Sequence, residues 1–243
     1  MNKTNQYRLT IIVPVYNEED NIYRLEEELG AFLPRAACSA CLLFVDDGSK
    51  DRSLELIREV CSRNDAFFYI ALEKNSGLSA AMKAGIDAAE SEYVGYIDAD
   101  LQTVPEDFNL LVPALSEYEL VTGIRAERKD SPFKKMQSQI ANGFRRMMTH
   151  DGMTDTGCPL KVMRTEYAKR IPFFTGMHRF LPALIQLQQG RVMQVPVRHR
   201  PRVAGKSKYN LRNRLVAPFV DCFAYRWMRK RYINYRIAQN NIQ

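Results

Sequence analysis

Four short apolar runs, separated by helix-length intervals and each ending in polar residues, constrain the fold of this chain more than any other feature. Leu9-Thr-Ile-Ile-Val-Pro-Val15 is continuous and rich in β-branched side chains, as strands buried on both faces are. Cys41 to Val45, Ala66 to Leu72 and Tyr93-Val-Gly-Tyr-Ile97 repeat the signal. Between the first two, Asn17 offers an N-cap, with Glu18, Glu19 and Asp20 in the first helical turn, where they suit the helix dipole. Asp51 is placed to cap a helix through Arg63 whose Leu54, Ile57 and Val60 share one face, and Ser76 to Ala89 reads as a third helix. Farther on, His178 to Gln189 reads as a short helix and Arg191 to Val197 as another strand. Alternation at this spacing predicts an α/β fold: a mainly parallel, doubly wound sheet with helices on both faces.

In such sheets ligands bind beyond the carboxyl ends of the strands. The polar clusters fall at those ends: Tyr16-Asn-Glu18, Asp46-Asp47, Asn75-Ser-Gly77 and Asp98-Ala-Asp100. One Asp after a strand is usually a cap, but four clusters at four successive strand ends exceed what capping needs. Asp98 and Asp100, two residues apart on extended backbone, point to the same side. Unpaired they would repel, whereas a hard divalent cation would stabilise both. Gln102 offers a third oxygen, and no His or Cys set nearby favours zinc, so Mg²⁺ or Mn²⁺ is the expected metal. The P-loop and G-x-G-x-x-G patterns are absent, which weighs against a P-loop ATPase and an ordinary dinucleotide-binding dehydrogenase.

Charge divides the chain. Met1 to Ile124 holds 10 Lys and Arg against 22 Asp and Glu, and Arg125 to Gln243 holds 25 against 6, within an overall +7 over 243 residues. The acidic half suits a metal; the basic half suits phosphates, nucleic acid or an anionic membrane. The 46% apolar share excludes a disordered chain. Five Cys with no signal-peptide pattern in the polar start suggest reduced thiols, and Cys38-Ser-Ala-Cys41 reads as strand-edge packing. No run approaches the roughly 20 apolar residues that cross a bilayer.

The series Ile12-Val-Pro-Val-Tyr-Asn-Glu18, Val45-Asp-Asp-Gly-Ser-Lys-Asp51, Asn75-Ser-Gly77 with Ala81 and Gly85, and Asp98-Ala-Asp-Leu-Gln102 resembles the family 2 glycosyltransferases with the GT-A fold. With Gly123-Ile-Arg125, Asp155-Thr-Gly-Cys-Pro-Leu-Lys161 and Arg202-Val-Ala-Gly-Lys-Ser-Lys-Tyr209, the chain looks most like the polyprenyl-phosphate (dolichol-phosphate type) mannose or glucose synthases. The resemblance implies an inverting, metal-dependent transfer of a hexose from a nucleotide sugar to a polyprenyl phosphate. It assigns the donor to Pro14, Tyr16, Glu18, Asp46 or Asp47, Asn75, Gly77, Lys83, Asp98, Asp100, Lys161 and Arg202. The metal falls to Asp98, Asp100 and Gln102, and the acceptor phosphate to Arg125, Lys134 and Ser138. The family usually has Arg near Lys134, and a Lys there pairs with phosphate without the bidentate fork. Asp155 is either a base or a group that positions the loop and Lys161, with positioning favoured by the resemblance.

A phosphate monoester is mostly dianionic at neutral pH and needs no protein base, whereas a hydroxyl acceptor does. The six carboxylates after Ile124 therefore mildly favour a phosphate acceptor. Phe133, Met136, Ile140, Phe144, Met147 and Met148, flanked by Lys134, Lys135, Arg145 and Arg146, form a basic amphipathic stripe that suits either an anionic interface or the core. His150, His178 and His199 are too scattered for a metal motif, and Arg179 suits a phosphate or a helix-start salt bridge. In Leu211 to Tyr235, Phe219, Phe223, Tyr225 and Trp227 among the cations suit a membrane surface, while Pro218 and Asp221 argue against a span.

The expected organisation is a glycosyltransferase domain over 1–210, divided into a nucleotide-sugar half (1–124) and an acceptor half (125–210), followed by a basic amphipathic helical segment over 211–243. Expected partners are a GDP- or UDP-hexose, a polyprenyl phosphate and an anionic membrane at whose cytoplasmic face the protein sits peripherally, with room for a homo-oligomer or a separate integral membrane partner. The competing readings are transfer to a glycan or lipid hydroxyl, an inert sugar-nucleotide-binding module, and a nucleic-acid-binding protein, for which no motif is present. Mannose, glucose and an amino or acidic sugar all stay open.

Overall fold

The computed structural model describes residues 2–125, 142–201, 211–235 and 238–239, with backbone alone for 211–216. In chain order the elements are β1 (Leu9–Val15), α1 (Ile22–Phe32), β2 (Ala40–Asp46), α2 (Ser53–Ser62), β3 (Phe67–Ala71), α3 (Leu78–Ala88), β4 (Tyr93–Tyr96), α4 (Phe108–Leu111) and β5 (Leu120–Arg125). They continue with α5 (142–149), β6 (Lys161–Arg164), α6 (Thr165–Lys169), α7 (Leu181–Leu187), β7 (Val192–Val197) and α8 (Leu211–Arg231).

The seven described strands form one sheet in the order β3-β2-β1-β4-β6-β5-β7. β3, β2, β1 and β4 are parallel, as is the β5–β7 pair. β6 departs from the expected pattern: it lies antiparallel between β4 and β5, with Lys161 opposite both Tyr96 and Thr122. The carboxyl ends of β4 and β5 and the start of β6 therefore share one sheet edge.

Strand alternation fills both faces. Leu9, Ile11, Val13 and Val15 pack with Ala40, Leu42 and Phe44 against α1 and α2, in a core that includes Leu25, Leu29, Ile57 and Val60. On the other face, Ile12, Leu43 and Val45 meet Ala81, Met82 and Ile86 of α3, with Leu181, Leu184 and Ile185 of α7. The two layers of helices explain the continuous apolar strands.

The first helix starts later than expected. Asn17 is not its N-cap: at φ 50° it accepts the Lys50 N–H with its side-chain oxygen (2.7 Å), and its own N–H goes to Ser49 Oγ. A 3₁₀ turn, Glu19–Asn21, precedes α1. Asp51 accepts from Ser53 N–H and Glu19 N–H, tying the loop after β1 to the start of α2. Gly48 sits in the left-handed region (φ 65°), where a Cβ would fall 2.5 Å from the Lys74 backbone, so only glycine lets this loop approach residues 74–75.

α8 is not a detached surface helix. Cys222 and Tyr225 are buried in the second core, and the Tyr225 hydroxyl donates to Ala183 O (3.1 Å), which corrects the assignment of Tyr225 to a membrane-facing aromatic set. In α5, Arg145 is likewise buried and paired with Asp151, not presented to an interface. Residues 133–141 of the expected amphipathic stripe lie outside the described residues. The Cys38 and Cys41 thiols are free, with Cys41 buried in β2 beside Thr10.

Gly85 sets how closely α3 approaches the sheet, because a Cβ there would lie 2.7 Å from Ile12 Cγ2. Gly85→Ala is expected to cost about 1–3 kcal/mol in urea unfolding. Combined with Ile12→Ala it should cost less than the sum of the two single changes, and simple additivity would show that the contact is not limiting.

Candidate active site

The loops beyond β1, β2 and β4 carry the expected acidic clusters. Asp47, buried at 3% exposure, accepts from Asn75 Nδ2 (2.9 Å), Ser76 N–H (2.7 Å) and Gly77 N–H (2.8 Å). Its carboxylate is thus the organiser of the 75–77 loop and of the start of α3. Asp46 accepts from Ser49 N–H through Oδ2, while its buried Oδ1 has no hydrogen-bond partner among the described residues. A buried carboxylate oxygen left in that state is costly unless a ligand donates to it, so of the two residues Asp46 has the capacity to bind a nucleoside. Asn21 Nδ2 donates to Glu18 Oε2 (2.7 Å), and Glu18 N–H to Ser53 Oγ, which fixes the turn after Tyr16. Pro14 lies in β1, paired with Val45. Lys83 points elsewhere: it lies in the second turn of α3, exposed, in an ion pair with Asp87 (2.6 Å) and over the Phe173 ring.

Asp98 and Asp100 follow β4. Asp100 is 9% exposed and accepts from Gln102 N–H (3.2 Å). Tyr96, two residues before Asp98 and on the same side of the extended chain, donates its hydroxyl to Asp98 Oδ1. Burial and then the neighbouring Asp100 charge push the Asp98 carboxyl up to about 6, against the opposing influence of the Tyr96 hydrogen bond and the Lys161 and Arg125 charges. A buried carboxyl raised by desolvation and then by a second carboxylate marks a site with a deficit of positive charge, which a divalent cation held by Asp98, Asp100 and the Gln102 amide would correct. Among the described residues no group of three or more His, Cys, Asp or Glu side chains is arranged to hold a metal, so such an ion would depend on oxygens from its ligand as well.

The basic half supplies the opposite wall. Arg125, at the end of β5, grips Asp155 with both ends of its guanidinium: Nε to Oδ2 at 2.8 Å and Nη2 to Oδ1 at 2.9 Å. The pair is largely enclosed, with side-chain exposures of 16% and 11%. Burial alone would raise the Asp155 carboxyl, but the hydrogen bonds and charge of Arg125 prevail and hold it below the usual carboxylate range. Lys161 is 2% exposed, and its ammonium donates to the carbonyls of Thr156 and Cys158. Burial lowers its pKa, while Cys158, Asp155 and Asp98 act to keep it charged. The antiparallel β6 is what brings Lys161 beside Asp98.

Arg202, Lys134 and Ser138, expected to touch donor or acceptor phosphate, lie outside the described residues. His178 is a packing residue: its Nδ1 meets Ser79 Oγ at 3.0 Å, and burial, with Arg179 and Lys161 nearby, drops its pKa to about 3. Arg179 faces Asp221 of α8, whose carboxyl is raised by burial and eased down by Arg179. Tyr96 was absent from the expected site, although its i, i+2 relation to Asp98 was visible. The Arg145–Asp151 pair and Gln194, which anchor the loop carrying Asp155, left no such sign.

Known proteins resemble this chain in sequence and in fold. The family model for glycosyl transferase family 2 matches residues 10–172. Over 211 residues the chain is 34% identical to undecaprenyl-phosphate 4-deoxy-4-formamido-L-arabinose transferase of Edwardsiella ictaluri (strain 93-146), covering 86% of this chain and 65% of that protein. It is 35% identical over 209 residues to dodecaprenyl-phosphate galacturonate synthase of Rhizobium johnstonii, covering 84% and 62%. The chain thus spans somewhat less than two thirds of the length of these relatives. In fold it is similar to the mannosyltransferase PcManGT from Pyrobaculum calidifontis in complex with GDP-Man and Mn²⁺, with a TM-score of 0.66, 20% identity, and 90% of this chain and 63% of that one covered. With its GT-A-type sheet and a match over most of its length, the chain belongs to the family 2 glycosyltransferases.

Proposed function

We propose that this chain transfers a sugar from a nucleotide sugar to the phosphate of a polyprenyl phosphate, with inversion at the anomeric carbon. The observation that carries this reading is the Arg125–Asp155 pair at the sheet edge beside Asp98. Among the described residues, the carboxylate on the basic wall, Asp155, is bound to a guanidinium and held ionised below its usual range, so it is poorly suited to accept a proton from a hydroxyl. An acceptor phosphate dianion needs no such help. The names of the relatives point to the same acceptor class. Their sugars are a formamido pentose and a uronic acid, so they support the amino or acidic donors left open by the sequence more than mannose or glucose.

In this reading Asp46, with Pro14, Tyr16 and Glu18, holds the nucleoside, and Asp98, Asp100 and Gln102 hold Mg²⁺ or Mn²⁺. The cation would act as a Lewis acid on the departing diphosphate. Arg202 meets the donor phosphates, with Lys161 adding its charge from the interior, where its ammonium is held by carbonyl groups, while Arg125, with Lys134 and Ser138, receives the acceptor phosphate. Asp155 positions Arg125 and fixes its charge.

The outer face of α8 supports a peripheral place at a membrane, which we assign to the cytoplasmic face. Phe219 stacks on Phe144 of α5 at 4.7 Å and meets Phe223 at 5.3 Å, and both α8 aromatics are about half exposed. Among the described residues no helix is long and apolar enough to cross a membrane.

Radiolabelled sugar is expected to appear in acid-labile polyprenyl-phosphate sugar. Label in a glycan alone would defeat the acceptor assignment. Arg125→Ala should lower kcat/KM for the acceptor about 10- to 100-fold, the worth of one or two charge-assisted hydrogen bonds. Asp155→Asn should raise the acceptor KM without removing a limb of the pH–rate profile. Loss of the acidic limb would instead identify Asp155 as the base.

Donor binding with Mn²⁺, followed by calorimetry, should weaken about tenfold per unit as pH falls below about 6, because Asp98 must give up its proton to bind the metal. Without ligand the sign reverses. The raised carboxyl favours the folded state below pH 4, and that contribution is lost as pH rises through about 6. Asp98→Asn should therefore stabilise the ligand-free chain at pH 7.5 while abolishing the metal effect. A flat pH dependence of donor affinity would remove Asp98 from the metal site.

Sedimentation with anionic vesicles at low salt should pellet the protein, and Phe219→Ser with Phe223→Ser should reduce the pelleted fraction several-fold. Equal pelleting with and without lipid would end the membrane proposal.

A further inference from the structure

The loop 150–160 joins α5 to β6 and holds no regular structure, yet several elements reach into it with side chains. Arg145 of α5 pairs with Asp151 and donates to Met153 O (2.7 Å). Lys161 donates to the Thr156 and Cys158 carbonyls, and Arg125 holds the Asp155 carboxylate. A further contributor is Gln194, in the middle of β7 at the edge of the sheet. Its Oε1 accepts from both Thr154 N–H (2.8 Å) and Thr154 Oγ1 (3.0 Å), and its Nε2 donates to Asp155 O (3.1 Å).

Both ends of one amide are therefore spent on two consecutive residues of the loop. An amide matches this, because the loop offers donors at Thr154 and an acceptor at Asp155, whereas a carboxylate or an alkyl chain satisfies one or neither. In register Gln194 lies opposite Thr122, three residues before Arg125 on the neighbouring strand. The same β5–β7 ladder thus carries the clamp and the guanidinium that the clamped loop must meet. The fit is close: a Cβ on Gly157 would come within 2.9 Å of Arg125 Nη2, so a shift of the loop is felt directly at the guanidinium.

We propose that Gln194 is a positioning residue for Arg125: by fixing the main chain at Thr154 and Asp155 it sets where the Asp155 carboxylate holds the guanidinium that receives the acceptor phosphate. Gln194 acts through Asp155 and touches no substrate. The positioning itself is independent of what Arg125 binds; only its kinetic consequence rests on the proposed acceptor role.

The test uses the full chain, with Gln194→Leu as the main variant and Gln194→Glu, which keeps the acceptor oxygen and loses the donor, as the second. In ¹⁵N NMR, the Arg125 Nε–H signal, assigned by its loss in Arg125→Lys, should exchange with solvent at least several-fold faster in Gln194→Leu and to an intermediate degree in Gln194→Glu. Unchanged exchange in both variants would overturn the proposal. If Gln194→Leu does not fold, Gln194→Glu decides alone. In the transfer assay the acceptor KM should rise about 3- to 10-fold with donor affinity within twofold of the parent, and the effect should vanish in an Asp155→Asn background. Additive losses in the double variant would mean that Gln194 acts by another route and would overturn the proposal. Faster Arg125 exchange with no change in acceptor KM would leave the positioning intact and refute the acceptor role of Arg125.

Discussion

The reversed strand β6 is the constraint on which the site depends. Had β6 continued the parallel series, Lys161 would have started at the opposite edge from Asp98. Running antiparallel between β4 and β5, it begins beside Tyr96 and Thr122, at the edge where both neighbours end. Acidic groups from the first half of the chain and cations from the second then enclose one another. Burying either set alone would be expensive, because an isolated charge loses its hydration without compensation. Together, Asp98 and Asp155 help keep Lys161 charged, while Lys161 and Arg125 restrain the rise of the Asp98 carboxyl. An excess of repulsion survives at Asp98 and Asp100, and it is there that chemistry involving a cation has the most to gain.

The sequence was most legible where burial decides conformation. β1 and β2 are covered by helices on both faces, so apart from Thr10 and the terminal Asp46 their positions are apolar, and the run can be recognised without any periodicity. The polar residues that follow could be placed at the carboxyl edge because parallel strands leave no other arrangement. Legibility failed where a side chain is used over a long sequence distance. Asn17 looks like a helix cap, but its partner is Lys50 N–H in the next βα loop. The direction of β6 could not be seen in four residues, Lys161–Arg164, which carry no pattern that distinguishes a parallel from an antiparallel neighbour.

The charge division of the sequence also acquires a finer meaning in three dimensions. A balance of 25 cations against 6 carboxylates suggests a basic surface. Some of those cations are interior. Lys161 is sealed by carbonyl groups, Arg145 is paired with Asp151, and Arg125 is held by Asp155. Among the described residues of this half, Asp151 and Asp155 are thus used to keep particular cations inside the fold, where hydrated arginines would not stay. Net charge could not reveal this, because it does not distinguish a buried guanidinium from a solvated one.

α8 shows how the interior and the outer surface are joined. Cys222 and Tyr225 fix one side of the helix to the second core, Arg229 donates to Thr149 O at the end of α5, and Phe144 of α5 stacks on Phe219. The Asp155 loop leaves α5 only a few residues later, and Arg145 pins its first turn. The exposed aromatics and the loop that holds Arg125 are therefore anchored to the same two helices. Asp221, the one carboxylate of α8, faces inward toward Gly176 and Arg179, where a Cβ at Gly176 would meet it at 2.7 Å. With that negative charge withdrawn, the outer face of the described helix presents aromatic and basic side chains. The proposed phosphate acceptor would therefore meet cations, Arg125 among them, that packed elements already hold in position.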